Sequence, residues 1–392
     1  MRQYTRGLAE VGARVFGIGD TPKEALPPDL QRYLSAYLTV PRLLDEDDVL
    51  ARATDWLRGR ELDRVLANWE PLVTLAARMR ERWGVPGMDL STAIGFRDKE
   101  VMKERAEAAG LRVPRARRAG TAQAVREAAE EIGYPLIVKP IAGAGSADTY
   151  RVDSSEELTK VLAALRHVEE VSVEEYIEGE ELTFDTVCIE GVPVFENVAH
   201  YLPKPLEARS VEHLSPVIIT VRDMDQAWLQ PGIELGRAVL TALGMHDGFT
   251  HMEWFLTPSG EAVFGEIGAR PGGAHLVDQM NYTIDADLFR EWARAVCWHA
   301  FDAETERKYN AAIIFKRARG QGRIRAIDGL QEYRARFGEH IVEESLLPIG
   351  AERRNWRNTL VSDGYLLVRH PDWDEAKRMA FAAASDIALR AG

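Results

Sequence analysis

Two glutamates in the stretch HMEWFLTPSGEAVFGEIGARPGG, residues 251–273, have the spacing of a working pair. With TPSG as a four-residue turn, Leu256 pairs with Glu261, Glu253 stands opposite Phe264, and His251 stands opposite Glu266. Glu253 and Glu266 then share one sheet face as diagonal neighbours, about 7–8 Å apart at the backbone. Glutamate side chains can close that gap onto one cation. Two carboxylates so placed in an apolar setting repel each other unless a positive charge lies between them. Mg²⁺ suits the position, with Mn²⁺ as a substitute, because a hard ion takes one or two carboxylates plus phosphate oxygens and water. Arg270 follows four residues after Glu266 and offers its planar fork to the same phosphates. The plainer reading is a solvated hairpin face, but Met252, Trp254, Phe255, Phe264 and Ile267 crowd both strands and imply packing on both sides.

A second stretch, YPLIVKPIAGAGSADTYRV at 134–152, runs an apolar strand into Lys139 and then into a loop holding Gly143, Gly145 and Ser146. No GxxxxGK[ST] phosphate loop occurs, and GxGxxG fails because Asp148 stands where the third glycine belongs. GIGDTP near the N-terminus fails in the same way at Pro22. Two readings stay open: an ordinary hairpin with a bare tip, or a flap folding over a triphosphate. In the flap, small residues let backbone N–H groups approach phosphate oxygens, and Lys139 supplies the compensating charge.

The chain that must position these groups has 392 residues, enough for two or three packed units. Its 46% hydrophobic and 28% charged content is that of a globular protein. A formal net charge of −13 argues against nucleic acid or anionic membrane as a partner. Cys188 and Cys297 lie in apolar segments without metal-ligand spacing, as expected of reduced thiols in a cytoplasmic protein. No run approaches the roughly 20 apolar residues of a membrane helix. The amphipathic start MRQYTRGLAEVGARV has no apolar core of a secretory signal.

Over the first ninety residues or so, β-like runs (RVFGIGD, AYLTV, VLANWE) alternate with helical ones (DEDDVLARATDWL, PLVTLAARMRERWG), a rhythm that predicts a parallel sheet flanked by helices. Helices DKEVMKERAEAAG and TAQAVREAAEEIG follow, each closed by glycine. Ser154 and Glu157 form a capping box before another helix. VSVEEYI, EELTFDTVCIE and VPVFENVAHY read as strands, the last two turning at Glu190-Gly191. LPKPLEARSVEHLSP reads as a loop, and DEAKRMAFAAASDIAL as a C-terminal helix.

With these motifs in this order, the chain resembles the ATP-grasp superfamily, closest in style to its biotin-carboxylase-like and amino-acid-ligase-like branches. The resemblance covers residues from about 90 to 305. It implies a multidomain fold of α/β and α+β units, with ATP held between two α+β subdomains. An N-terminal parallel α/β domain would occupy 1–90, its first strand missing. An A subdomain with the glycine-rich loop would occupy 91–170, a B subdomain with the magnesium site 171–307, and a small C-terminal α+β domain 308–392.

The same resemblance assigns roles. Lys99 and Lys139 match the two nucleotide-binding lysines, and Gly143, Gly145 and Ser146 the phosphate-covering loop. Glu174 would face the adenine amine, backbone at Glu175 and Ile177 would bind the adenine edge, and Glu181 would hold the ribose hydroxyls. Glu253 and Glu266 match the magnesium ligands, and Arg270 the arginine that steadies a phosphorylated intermediate. Gly268 departs from the pattern, standing where the family commonly has a further metal-binding asparagine.

The activity implied is ligation of a small-molecule carboxylate to an amine or thiol through an acyl-phosphate, releasing ADP and phosphate. Bicarbonate activation, a kinase and a non-catalytic nucleotide-binding module on the same fold are the alternatives. HYLPKPLEARSVEHLSP does not match the Gln-Arg-Arg run of biotin carboxylase, so His200, Lys204, Arg209 and His213 stand as acceptor-site candidates. Tryptophan and leucine residues near the N-terminus are compatible with a homodimer.

Overall fold

The computed structural model describes residues 1–141 and 148–392. Strands β1 (Phe16–Gly19) and β2 (Ala36–Thr39) form a small parallel sheet, as the alternating pattern of the first segment requires. Before them stands the helix Arg2–Glu10, which packs against the helix Leu288–Trp298. VLANWE forms no strand. It crosses the helix Val73–Trp83, and the Val65 carbonyl accepts from Arg80 Nε instead of from a strand partner. A single 3₁₀ turn, Glu70–Leu72, follows.

A four-stranded antiparallel sheet comes next, made of β3 (Ala116–Ala119), β4 (Leu136–Pro140), β5 (Tyr150–Val152) and β6 (Val171–Glu175) in the order β3-β6-β4-β5. Helices Ala122–Ile132 and Ser155–Ala164 close its apolar face. The second starts as its capping residues require, with Ser154 Oγ accepting from the Glu157 N–H and Glu157 Oε2 accepting from the Asp153 N–H. Gly143, Gly145 and Ser146 lie outside the described residues, between the antiparallel neighbours β4 and β5.

The centre of the molecule is an eight-stranded antiparallel sheet. Its strands are β7 (Glu180–Ile189), β8 (Val192–Leu202), β9 (Val217–Thr220), β10 (Gly248–Leu256), β11 (Ala262–Gly268) and β12 (Asn310–Phe315), with two more from the C-terminal segment. After β13 (Ile324–Asp328) come those two, β14 (Ile341–Leu346) and β15 (Gly364–His370). The order β11-β10-β7-β8-β9-β12-β15-β14 runs without a break from the paired glutamates to the C-terminal segment. The last helix ends at Asp386; Ala388 and Leu389, read from sequence as its end, belong instead to strand β16 (Ala388–Ala391), which pairs with β13. LPKPLEARSVEHLSP is likewise not all loop, because Pro205, with φ pre-set at a first helical position, starts the helix Pro205–Ser210.

The β10–β11 hairpin differs from the register expected of a four-residue turn. Gly260, at φ +84°, closes a tighter loop in which its N–H donates to the Thr257 carbonyl, and the Thr257 N–H donates to the Glu261 carbonyl. Leu256 therefore pairs with Ala262, and Trp254 with Phe264. An uninterrupted ladder would put Glu253 opposite Gly265 and send Glu266 to the other face. Gly265 instead forms a β-bulge, after which Glu253 pairs directly with Glu266. Met252, Trp254, Phe264 and Ile267 all stay in the core beneath the helix Gln230–Leu243. A Cβ at position 265 would lie 2.7 Å from the Glu253 carbonyl oxygen, so the bulge depends on glycine. Gly265→Ala is expected to lower stability by about 1–3 kcal/mol, measured by urea unfolding.

Candidate nucleotide and metal site

Strand alternation collects the acidic residues. In the β10–β7 register Glu253 pairs with Thr183, Phe255 with Glu181, and His251 with Asp185, so all of these share the face that carries Glu266. Asp185 Oδ1 lies 2.6 Å from His251 Nδ1 and Oδ2 accepts from Thr183 Oγ1 at 2.7 Å, which anchors the ring beneath Glu253. Tyr201 donates its hydroxyl to Glu253 Oε1 at 3.2 Å.

The basic residues arrive from the four-stranded sheet and from one helix. Asp98 caps the helix Lys99–Ala108, accepting from the Glu100 and Val101 N–H groups. This sets Lys99 and Lys103 one turn apart on a buried face. Lys99 donates to Glu266, while Lys103 and Lys139 share Glu174, with Lys139 Nζ 3.0 Å from its Oε2. Lys103 escaped the sequence reading, although KEVMK places it four residues after Lys99.

These pairings govern ionisation. Burial opposes the charge on Glu266, but Lys99 and Lys139 hold its pKa down to about 2. Burial likewise opposes Glu174, and Lys103 and Lys139 outweigh it, leaving the carboxyl far below the usual range. Burial also works against the Lys139 ammonium, yet Glu174, Glu266 and Glu253 raise its pKa. It pulls Lys103 below its ordinary value despite Glu174. Glu181 goes the other way: burial, then Glu253 and Glu266, push its pKa well above the carboxylate range. Four carboxylates thus meet three lysines on this face, and a divalent cation fits beside Glu253 and Glu266. Among the described residues no group of three or more Asp, Glu, His or Cys side chains is arranged to hold a metal ion by itself. The protein would supply two carboxylates, leaving other positions to phosphate and water. At Gly268 a Cβ would come 3.1 Å from Arg270 Cγ, so a side chain there would crowd the arginine.

Between the two sheets these residues bound a cleft of about 590 Å³, lined by Lys99, Lys139, Glu174, Glu175, Ile177, Glu181, Lys204, Glu253 and Glu266. The Glu174 carboxylate is turned to its lysines rather than to a base, so only its backbone is left for an adenine amine. Glu175 is held by Arg112 Nη2 at 3.0 Å and by the Arg115 N–H at 3.1 Å. Arg270 lies beyond Glu253 and Glu266, in a narrow chamber shared with Glu70, Arg97, Lys99 and His251. Of the acceptor candidates, Lys204 reaches the cleft. His200 faces a wider groove of about 800 Å³ on the opposite side of the sheet, Arg209 is half-buried, and His213 is exposed. Among the described residues no helix is long and apolar enough to cross a membrane.

A family model described as an ATP-grasp domain matches residues 132–278. The chain is 28% identical over 240 residues to the L-arginine-specific L-amino acid ligase of Bacillus subtilis, covering 59% of this chain and 57% of that protein. It is 29% identical over 235 residues to a D-alanine–D-alanine ligase of Geobacter sulfurreducens, covering 55% of this chain and 72% of that ligase. The crystal structure of an L-amino acid ligase from Bacillus licheniformis superposes with a TM-score of 0.79 at 19% identity, covering 99% of this chain and 95% of that one. Residues 132–278 thus match an ATP-grasp domain, and the chain has the fold of that L-amino acid ligase structure. It spans just over half the length of the B. subtilis ligase.

Lys103→Met leaves Glu174 with one lysine and is expected to lower stability by about 1–3 kcal/mol. The loss is read from urea unfolding curves, with Lys139 as the one lysine still paired to Glu174.

Proposed function

We propose that the protein is an ATP-dependent carboxylate–amine ligase that works through an acyl-phosphate. One observation carries this reading: Glu253 and Glu266 are paired in register where the cleft meets the chamber of Arg270, with Lys99 and Lys139 beside them. The names of the relatives support it, since an L-amino acid ligase and a D-alanine–D-alanine ligase each join a carboxylate to an amine.

In this reading the hinge at Glu175 to Ile177 takes the adenine through its backbone, and Glu181 takes the ribose. The raised pKa of Glu181 favours its neutral form, which can donate to a ribose oxygen as well as accept. Glu253 and Glu266 hold Mg²⁺, which when bound neutralises charge on the transferring phosphoryl group. Lys99 and Lys139 now neutralise carboxylates; with nucleotide present they swing their charge to phosphate oxygens. Arg270, on the far side, meets the acyl-phosphate as it forms. Positioning and charge compensation supply the rate, since phosphoryl transfer asks little covalent work of the protein. An amine then attacks the acyl carbon and phosphate leaves, so that ADP and phosphate are the products.

The test is an ADP- and phosphate-release screen of carboxylic acids crossed with amines, with bicarbonate as a separate arm. Release that needs both an acid and an amine supports the ligase. Release with bicarbonate as the sole acid supports a carboxylase, and a stable phosphorylated product without free phosphate supports a kinase. Glu253→Gln and Glu266→Gln are expected to lower kcat by about a hundredfold or more while weakening nucleotide binding less. Near-wild-type ADP release by both would remove the metal assignment.

A further inference from the structure

Arg270 does not stand alone in its chamber. Its Nε donates to Glu70 Oε2 at 3.0 Å, and the other oxygen of the same carboxylate, Oε1, accepts from Arg97 Nη1 at 3.0 Å. Arg270 Nη1 is held as well, donating to the Pro271 carbonyl at 2.9 Å. The Glu70 and Arg270 side chains are only 14% and 18% exposed. Glu70 sits in the 3₁₀ turn Glu70–Leu72 of the N-terminal segment, Arg97 just before the helix Lys99–Ala108, and Arg270 just after β11. One carboxylate therefore ties together three parts of the chain that are far apart in sequence.

We propose that Glu70 is a positioning residue for Arg270, a reading that rests on the ligase function above. A guanidinium has five N–H donors in a fixed plane. Glu70 engages the Nε edge, and Pro271 takes a donor on Nη1. Among the described residues the other donors, chiefly on Nη2, have no side-chain partner; they adjoin a chamber of about 10 Å³ bounded by Lys99, Glu253 and Glu266, which also line the cleft, so the anion they meet is one held at the cleft's edge. A long, flexible side chain otherwise loses conformational freedom each time it binds its ligand; here the plane is set in advance. Arg97 shares the carboxylate, so Glu70 need not draw on the full charge of Arg270. The arrangement also gives the N-terminal segment a part in the chemistry. Its docking onto the central sheet is what brings Glu70 to Arg270, so the arginine is aligned only when that segment is in place.

The experiment is a double-mutant cycle on Glu70→Ala and Arg270→Ala. It is read by ADP release with an acid–amine pair that the wild-type protein accepts, and by calorimetric titration of Mg·ADP followed by inorganic phosphate. Glu70→Ala is expected to lower kcat by about ten- to hundredfold and to weaken phosphate by about tenfold or more, because a misplaced group costs on that scale. Mg·ADP affinity should stay within about twofold, since Glu70 does not line the nucleotide cleft, and the loss should not deepen once Arg270 is alanine. Losses that simply multiply in the double variant, or wild-type kcat and phosphate affinity in Glu70→Ala, overturn the proposal. If Glu70→Ala does not fold, Glu70→Gln keeps the volume and carries the same comparison. If the wild-type protein turns over no acid–amine pair, the ligase reading falls, and the phosphate titration still decides the clamp. Absence of phosphate binding by wild-type protein with Mg·ADP present overturns the clamp itself.

Discussion

The structure depends on one balance of charge. Glu174 and Glu181, which are buried, and Glu253 and Glu266, which are partly exposed at the cleft, are brought together with Lys99, Lys103 and Lys139. Buried carboxylates survive only when paired, and pairing replaces solvation only when the geometry is good. The fold supplies that geometry from rigid parts: strands β4, β6, β7, β10 and β11 and the first turn of a capped helix. Burial and the neighbouring carboxylates Glu253 and Glu266 raise the pKa of Glu181, where the lysines fall short. The ligand-free arrangement is thus already that of a site waiting for more positive charge.

Much of this was legible in the sequence because the chemistry sits on regular elements. The apolar run into Lys139, the capping residues and the two-residue Glu190-Gly191 turn are local signals, and each appears in the fold, with Glu190 and Gly191 both at positive φ. The hairpin carrying Glu253 and Glu266 was read with the right shared face but for the wrong reason. A tighter turn and a bulge each shift the register by one residue, and the two shifts leave the glutamates on the same side. A clue was present: Phe264 and Ile267, both core residues, are three apart, a spacing that an unbroken strand cannot place on one face.

What stayed hidden was long-range. Nothing in WEPL marks Glu70 as a partner for a residue 200 positions away, and the run before it looked like a strand by composition alone. Lys103 looked like an ordinary helix-face lysine until Glu174 was seen opposite it. Glu174 was expected to face the adenine amine; its carboxylate is engaged by Lys139 of the same sheet and by Lys103 of the helix Lys99–Ala108, partners its own strand does not announce.

The unbroken sheet order bears on how the protein can be divided. Strands β12, β15 and β14 are hydrogen-bonded in succession to β9, so the C-terminal segment continues the sheet that holds the hairpin of Glu253 and Glu266. Cutting the chain before Asn310 would strip β9 of its neighbour and bare a fully buried row of Val217, Ile218, Ile219 and Thr220 with open backbone groups. Such an edge is a template for another chain, and the shortened protein would self-associate rather than persist as a smaller nucleotide-binding unit.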